Sequence, residues 1–548
     1  MGRATTLMDP HLTVDASRRA RRALCVLALA GAAVQACGAA PAHASWERPE
    51  SAWLDAVYGT PEPVWFAPSG SRPASAEALR LLRAAPEHGL PVDGATLARI
   101  ERALHDASVP GADPQAVMRA DRALTRAMLG HLADLRFGRV PPAEVAPHYR
   151  VPEREAPFVA GLRSAAASGR LAALVDAAAP RFAQYRRLRT VLGHYRDLAG
   201  NAGDWPPLPR RSRVDAGEAY DGADALRARL VALGDLAADA PPAHGRYTPA
   251  LVAAVARFQA RHGLAPDGVL GRLTFAALDV PPSERVAQIG LSLERIRLLP
   301  DPAPGPLVAV NIPSYRLWAF ADAVADERPR LSMAVVVGRA ARSQTPVFVG
   351  TMRHVEFSPY WNVPASIVRD EYLGPLRRDP SRLAREDMEI VPARGGGEPL
   401  VTADAAALAG LRDGALRLRQ RPGPRNALGG AKFVLPNAMQ VYLHGTPATA
   451  LFERTRRDFS HGCIRVAEPV ALARFVLEGR PEWTQDAIVA AMAARTPRTV
   501  SLPVAVPVVV FYTTTVVDEA GRAHFLPDVY GHDARLATAL ARRASGPR

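Results

Sequence analysis

The spacing of apolar residues changes near residue 305, and this change limits the fold more than any other feature of the sequence. Upstream of it, apolar side chains recur every three or four residues, which is typical of amphipathic helices. One such run consists of Leu124, Met128, Leu132 and Leu135. Downstream, stretches at 307–320, 331–338 and 351–357 are rich in valine, isoleucine and aromatic residues and predict strands. We therefore expect a multidomain α+β protein that is helical first and β-rich later.

The domain organisation follows from length and from the proline-rich and glycine-rich stretches. A chain of 548 residues holds two to four domains. Between about 365 and 430, leucine, arginine and alanine return at helical density, which indicates a helical lid inserted in the β-rich domain. The predicted segments are a leader at 1–44, a helical scaffold at 45–212, a three-helix module at 213–281, a linker helix at 282–304, the β-rich domain at 305–503 and closing strands at 504–548.

The first 44 residues predict export. Arg18, Arg19, Arg21 and Arg22 precede 12 apolar residues at 23–34, and Ala42-His43-Ala44 offers small residues at the positions that a signal peptidase reads. The apolar run is too short to span a bilayer, which needs ~20 residues. We expect a cleaved signal peptide and a periplasmic protein. The alternative is lipidation at Cys37, which alone would bring membrane contact.

The positive charge does not indicate nucleic acid. The formal net charge is +14, but Lys432 is the only lysine among 68 basic residues. The arginines are dispersed along the chain instead of forming one basic stripe, which a nucleic-acid interface requires. We expect no nucleic-acid partner.

The cysteines point to one candidate nucleophile. Two of the three, Cys25 and Cys37, lie in the predicted signal peptide, which leaves Cys463. A thiol is mostly protonated at neutral pH, so a nucleophilic cysteine needs a base, and His444 and His461 are available. Amide groups around Gly462 and Cys463 are candidates to stabilise an oxyanion. A nucleophile is the favoured interpretation; a zinc site or an inert buried cysteine stays open, and no cofactor is expected.

The small helical module carries a family signature. Thr248 followed by Pro249 is a helix start, with an apolar stripe behind it. Together with Leu233-Gly234-Asp235-Leu236, Phe258-Gln259 and Asp267-Gly268-Val269-Leu270-Gly271, this stretch resembles the peptidoglycan-binding domain type 1. The resemblance implies binding to the cell wall; composition and spacing alone indicate only a three-helix module, and a mere spacer is the alternative.

The segment around the last cysteine carries a second signature. Ser460-His461-Gly462-Cys463, with His444-Gly445-Thr446-Pro447 upstream, resembles the L,D-transpeptidase (YkuD-type) catalytic domain. Further segments are similar to the long, periplasmic YcbB-like branch of that family. They are Trp361-Asn362-Val363-Pro364, Arg421-Pro422-Gly423-Pro424, Asn426-Ala427-Leu428-Gly429, Lys432-Phe433 and Pro436-Asn437. The resemblance implies a β-sandwich-like catalytic domain with a lid insertion.

The resemblance also implies a reaction. Cys463 corresponds to the nucleophile that attacks the bond between the diamino acid and D-Ala of a tetrapeptide stem, releases D-Ala and forms a thioester. An amine of a neighbouring stem then resolves the thioester and forms a 3-3 cross-link. His444 corresponds to the general base, oriented by a backbone carbonyl. The implied partners are peptidoglycan stem peptides and glycan, with other cell-wall synthesis proteins as further candidates.

Five more residues receive roles from the same resemblance. Gly462 contributes to the oxyanion site and His461 supports the loop. Arg465 stands where the family places a substrate-binding Arg or Asn and would bind a stem carboxylate, with a surface salt bridge as the alternative. Trp361 and Tyr442 would line the acyl-donor groove, although aromatic residues in strands are commonly core.

Two other activities fit the same residues, and a scaffold without activity is a third alternative. A carboxypeptidase would use water to resolve the thioester, and an attachment enzyme would use a lysine side chain of an outer-membrane protein. A catalytically idle wall-binding scaffold would use neither group. The presence of both His444 and Cys463 argues against the scaffold, and the length of the chain argues against the attachment enzyme.

Overall fold

The computed structural model describes residues 50–545, apart from residues 69, 147–148, 150, 152–153, 202–204, 395–397 and 401. The predicted signal peptide, including Cys37, lies outside the described residues. Within the described part of the chain, no helix combines the length and the apolar composition that crossing a bilayer requires.

The N-terminal helical region is organised around one long helix, Pro114–Phe137. The Asp113 carboxylate begins it by accepting two backbone N–H groups of the first turn, which otherwise lack partners. Leu124 and Met128 are fully buried, as the helical spacing predicts. The other helices here are Glu50–Val57, Pro73–Arg83, the 3₁₀ helix Ala85–His88, Gly94–Asp106, Pro142–Val145, Pro157–Ala167, Leu171–Ala178 and Ala183–Asn201. A short hairpin pairs Phe66–Ala67 with Gly70–Ser71.

The predicted three-helix module consists of Ala223–Ala232, Pro249–Arg261 and Arg272–Leu278. Thr248 begins the second helix, because its side chain accepts the Leu251 N–H at 3.4 Å. The helix Pro282–Arg297 follows and packs against Ala183–Asn201 in a shared apolar core.

The β-rich region folds as one nine-stranded mixed sheet. In spatial order its strands are Asp458–Ser460, Leu331–Gly338, Ile464–Val466, Leu443–His444, Ala431–Val434, Phe348–Phe357, Arg498–Phe511, Leu307–Asn311 and Arg316–Phe320. Arg316–Phe320 also pairs with Leu331–Gly338, so the sheet closes on itself around one apolar core. The prediction of a β-rich domain is confirmed. Three helices accompany the sheet: Thr449–Glu453, which is 3₁₀, Pro469–Val476 and Gln485–Ala493.

The insertion contains more than the predicted helices. Its helical elements are Ala365–Ile367, the π-helical turn Val368–Tyr372, Leu373–Arg378, Arg382–Arg385 and Ala405–Asp413. It also holds a three-stranded antiparallel sheet of Trp361–Asn362, Leu416–Gln420 and Met388–Pro392, which the sequence analysis did not predict. The insertion has its own apolar core, in which Leu376, Ile390 and Leu418 are fully buried.

The closing segment at 504–548 holds strands, as the sequence predicted, and ends in a helix that the sequence did not predict. The predicted boundary at 504 falls inside the strand Arg498–Phe511, which pairs with Phe348–Phe357 on one side and Leu307–Asn311 on the other. A hairpin follows, Thr515–Val517 with Ala523–Phe525. The last element is a helix, His532–Ser545. Its buried Leu536 and Ala539 share the apolar core of the linker helix, which explains why this segment is helical.

Candidate active site

Two adjacent parallel strands bring the candidate residues together. Leu443 pairs with Ile464 and His444 pairs with Arg465. Leu443 and Ile464 are fully buried in the core. Because side chains alternate along strands, His444 and Arg465 point to the opposite face of the sheet. Cys463 immediately precedes this pairing, so residues distant in sequence meet at one place.

The thiol of Cys463 lies beside Tyr442. Cys463 is partly exposed, and its Sγ lies 3.8 Å from the Gln440 carbonyl oxygen. Burial raises the pKa of the thiol, while a hydrogen bond with Tyr442 and the charges of Lys432 and Arg465 act in the opposite direction. Because burial is the largest of these effects, we expect a protonated thiol at neutral pH.

His444 is held as a neutral imidazole. Its Nδ1 lies 2.5 Å from the Gly445 carbonyl oxygen, which accepts a hydrogen bond from the Nδ1–H, so the lone pair of the neutral ring is on Nε2. Burial, followed by the charge of Arg465, lowers the pKa of His444 to about 3. A backbone carbonyl therefore orients the ring, and the ring is available as a base at neutral pH.

Arg465 is half-buried and forms no ion pair with the described residues. Burial, together with the neighbouring Arg339, lowers the pKa of Arg465. Its Nε has no hydrogen-bond partner, and none of the ion pairs formed among the described residues includes Arg465. A half-buried cation without a counter-charge is costly unless a ligand supplies one. The alternative prediction, a plain surface salt bridge, does not fit this environment.

The loop from Ser460 to Cys463 is fixed by internal hydrogen bonds. The Ser460 hydroxyl donates to the Cys463 carbonyl at 2.5 Å and accepts the Gly462 N–H at 3.1 Å. The Gly462 N–H is thus already engaged and is not the free oxyanion donor that the sequence predicted. Gly462 instead supplies a backbone φ of +117°, which only glycine adopts readily. The Cys463 N–H makes no hydrogen bond within the described chain and is the remaining candidate donor.

His461 and Trp361 face the insertion. The His461 Nε2 lies 2.6 Å from Glu371 Oε1, in the π-helical turn of the insertion. This contact ties the Ser460–Cys463 loop to the insertion, as a supporting role of His461 requires. Trp361 packs edge-on against Tyr372, with ring centroids 6.5 Å apart. Trp361 is partly buried against the apolar core of the insertion.

Two polar residues that received no site role from the sequence lie on the face that carries His444. Lys432 is the cross-strand partner of His444, and Glu356 is the partner of Lys432. The Lys432 Nζ lies 3.0 Å from the Glu356 carboxylate and 4.9 Å from the centroid of the Tyr442 ring. Tyr442 in turn lies 5.7 Å from His444 between ring centroids. One available signal was that Lys432 is the only lysine in the chain.

A third residue that received no site role from the sequence is Thr345. It is fully buried, and its hydroxyl donates to the Gly462 carbonyl oxygen at 2.8 Å. As to metals, the described residues contain no group of three histidine, cysteine, aspartate or glutamate side chains placed to hold an ion.

Comparison with protein families matches three parts of the chain. Residues 305–489 match the "L,D-transpeptidase catalytic domain", residues 221–278 match the "Putative peptidoglycan binding domain" and residues 52–192 match the "Scaffold domain". The chain thus contains an L,D-transpeptidase catalytic domain of the YkuD type and a peptidoglycan-binding domain, as the sequence motifs predicted.

Comparison with individual proteins gives one informative relative. A "Putative L,D-transpeptidase" of Haemophilus influenzae is 30% identical over 280 residues, which span 50% of this chain and 54% of that protein. The chain therefore covers about half the length of the curated relative that it matches. A solved structure of a fused Zn-dependent amidase/peptidase/peptidoglycan-binding domain-containing protein from Clostridium acetobutylicum is 11% identical. It covers 55% of this chain and 100% of its own at a TM-score of 0.15, which is too low to indicate a shared fold.

Proposed function

We propose that this chain, which joins an L,D-transpeptidase catalytic domain to a peptidoglycan-binding domain, cross-links peptidoglycan stems in the periplasm. The observation that carries the proposal is the register of two parallel strands. In this register His444 and Arg465 are cross-strand partners, and Cys463 comes directly before the paired segment, which supports a role for all three in one site. The periplasmic location rests on the leader sequence alone.

The first half-reaction forms a thioester. As the Cys463 sulfur attacks the carbonyl of the diamino acid in a tetrapeptide stem, Nε2 of His444 takes the thiol proton. The carbonyl oxygen becomes an oxyanion near the Cys463 N–H. When the C–N bond breaks, the imidazolium gives its proton to the departing D-Ala amine. The neutral resting state of His444 suits this role, because the ring accepts a proton only during the reaction.

The second half-reaction resolves the thioester. The amine of the diamino acid of a neighbouring stem attacks the thioester carbonyl, and His444 removes the proton that this amine must lose. The C–S bond then breaks, the thiol is regenerated and a 3-3 cross-link remains. Water in place of the amine would give a tripeptide, which is the carboxypeptidase outcome.

Substrate binding is assigned to the charges and aromatic groups of the site. A stem peptide carries carboxylates, and Arg465 is a half-buried cation whose Nε has no partner among the described residues. Tyr442 is adjacent to the thiol and would line the acyl-donor groove. Trp361 would reach a substrate only at the side of the groove formed by the insertion. The three-helix module would hold the enzyme on glycan strands.

The proposal is tested by incubating the protein with purified disaccharide-tetrapeptide and identifying the products by mass spectrometry. The expected product is a cross-linked dimer that has lost one alanine, absent with Cys463→Ala. Tripeptide and free alanine without dimer would make the protein a carboxypeptidase. Unaltered substrate, with the protein still pelleting with insoluble peptidoglycan, would indicate a wall-binding scaffold and contradict the proposal.

A further inference from the structure

We infer that Thr345 is a positioning residue for acyl transfer, because its hydroxyl fixes the peptide group that presents the Cys463 N–H to the oxyanion. The inference rests on the proposed function, since it takes Cys463 as the acylated nucleophile. Thr345 lies outside the Ser460–Cys463 loop, in the segment that follows the strand Leu331–Gly338.

The Thr345 hydroxyl connects two backbone segments. It accepts the Gly338 N–H at 2.8 Å and donates to the Gly462 carbonyl oxygen at 2.8 Å. Thr345 has no exposed surface, so water does not compete for either bond. A hydroxyl has one proton to donate and lone pairs to accept, and here both capacities are used.

The bond to Gly462 determines where the next N–H points. The Gly462 carbonyl and the Cys463 N–H belong to one planar trans peptide group, in which the C=O and N–H point in opposite directions. Because the carbonyl is directed inward to Thr345, the Cys463 N–H is directed away from Thr345 and from the buried segment. This N–H has no acceptor within the described chain, so it is available to a substrate oxygen.

The surroundings of Thr345 leave little room for adjustment. A Cβ at Gly338 would lie 1.9 Å from the Ser343 carbonyl oxygen and 2.7 Å from the Thr345 nitrogen, so the segment folds tightly over this glycine. The Ser343 hydroxyl also donates to the Ser460 carbonyl at 3.1 Å. On the far side, the Tyr530 hydroxyl accepts the Thr345 N–H at 3.3 Å. The backbone of Thr345 is therefore fixed by its contact with Tyr530, while its hydroxyl fixes the Gly462 carbonyl of the loop.

The test separates two reactions of the same thiol. Iodoacetamide alkylates the sulfur by displacement and forms no oxyanion, whereas p-nitrophenyl acetate acylates it through a tetrahedral oxyanion and releases p-nitrophenol. Both rates are measured on the full chain, and the rates of Cys463→Ala are subtracted to remove reaction at Cys25 and Cys37. Removing one oxyanion donor from an enzyme costs about 10²- to 10³-fold.

Thr345→Val keeps the shape of the side chain and removes the hydroxyl. We expect acylation to fall by about tenfold to a hundredfold, less than for complete loss of a donor, with alkylation changed by less than about twofold. Thr345→Ser keeps the hydroxyl, so its acylation rate should be close to that of wild type. Tyr530→Phe is a comparison variant, because it removes a neighbouring hydroxyl that contacts the Thr345 N–H and the Gly338 carbonyl but not Gly462. It should lower the ratio of acylation to alkylation less than Thr345→Val does.

Several results would overturn the inference. An equal fall of both rates in Thr345→Val would show a general effect on the loop, and an unchanged ratio would show no role. If the acylation rate of Thr345→Ser is as low as that of Thr345→Val, the effect comes from packing of the Thr345 side chain and not from its hydroxyl. If Thr345→Val does not fold, Thr345→Ala measured at low temperature is subject to the same criteria. If wild type itself is not acylated above the Cys463→Ala background, both this inference and the proposed function fail. If wild type is acylated but Thr345→Val behaves like wild type, only the inference about Thr345 fails.

Discussion

The protonation states of Cys463 and His444 lead to a pH profile that differs from that of a thiolate–imidazolium pair. Burial raises the pKa of the Cys463 thiol and lowers that of His444 to about 3. The proton therefore stays on sulfur at rest. A thiol with the ordinary pKa of ~8.5 is only about 3% thiolate at pH 7, and burial lowers this fraction further.

The magnitude follows from the titration curve. Below the pKa of the thiol, the thiolate fraction rises about tenfold for each pH unit, so the rate of iodoacetamide alkylation should rise about a hundredfold between pH 6 and pH 8. An ion pair would give a constant rate over this range, because both groups would already be charged. The assay is intact-protein mass spectrometry at a series of pH values, with Cys463→Ala as the background for the two other cysteines.

His444→Gln provides the control for this prediction. A neutral imidazole does not stabilise the thiolate by charge, so the variant should keep the same steep alkylation profile. Acyl transfer should nevertheless fall by about 10²- to 10⁴-fold, because the general base is gone. A plateau in the alkylation rate of wild type between pH 6 and pH 8 would refute the reasoning, as would a plateau that disappears in His444→Gln.

Three further predictions concern binding and stability. Arg465→Gln should raise KM for disaccharide-tetrapeptide about tenfold to a hundredfold, because a charge-assisted hydrogen bond to the substrate is lost. An unchanged KM would show that Arg465 does not bind the substrate. Gly462→Ala should lower the free energy of unfolding by about 1–3 kcal/mol, because φ of +117° is strained for alanine; equal stability in urea would argue against this backbone conformation. Burial lowers the pKa of His131 to about 4. As pH falls from 6.5 toward 4, the unfolded chain therefore binds a proton that the folded protein does not, and the free energy of unfolding decreases by about 1.4 kcal/mol per pH unit. His131→Gln should flatten the pH dependence of urea unfolding in that window, and an identical slope in both proteins would contradict it.

Local signals in the sequence accounted for much of the helical part. The cap at Thr248 and the periodic burial of Leu124 and Met128 involve only neighbouring residues, so residue type and spacing predicted them. The motif around Cys463 led to the proposed nucleophile and base for a similar reason, because its residue types are rare and closely spaced.

Pairing between strands could not be predicted in the same way. Lys432 and Glu356 reach the site only through cross-strand register, which depends on the whole sheet. Thr345 supports Gly462 across more than a hundred residues of chain. The sheet of the insertion was missed because Leu416-Arg417-Leu418-Arg419 fits helical composition as well as strand alternation.

The central claim is that Cys463 carries the stem peptide as a thioester, and intact-protein mass spectrometry after brief mixing with disaccharide-tetrapeptide tests it most directly. The expected result is an adduct with the mass of the substrate less one alanine, removed by hydroxylamine and absent in Cys463→Ala. The same adduct on Cys463→Ala, or release of alanine by that variant at the wild-type rate, would contradict the claim.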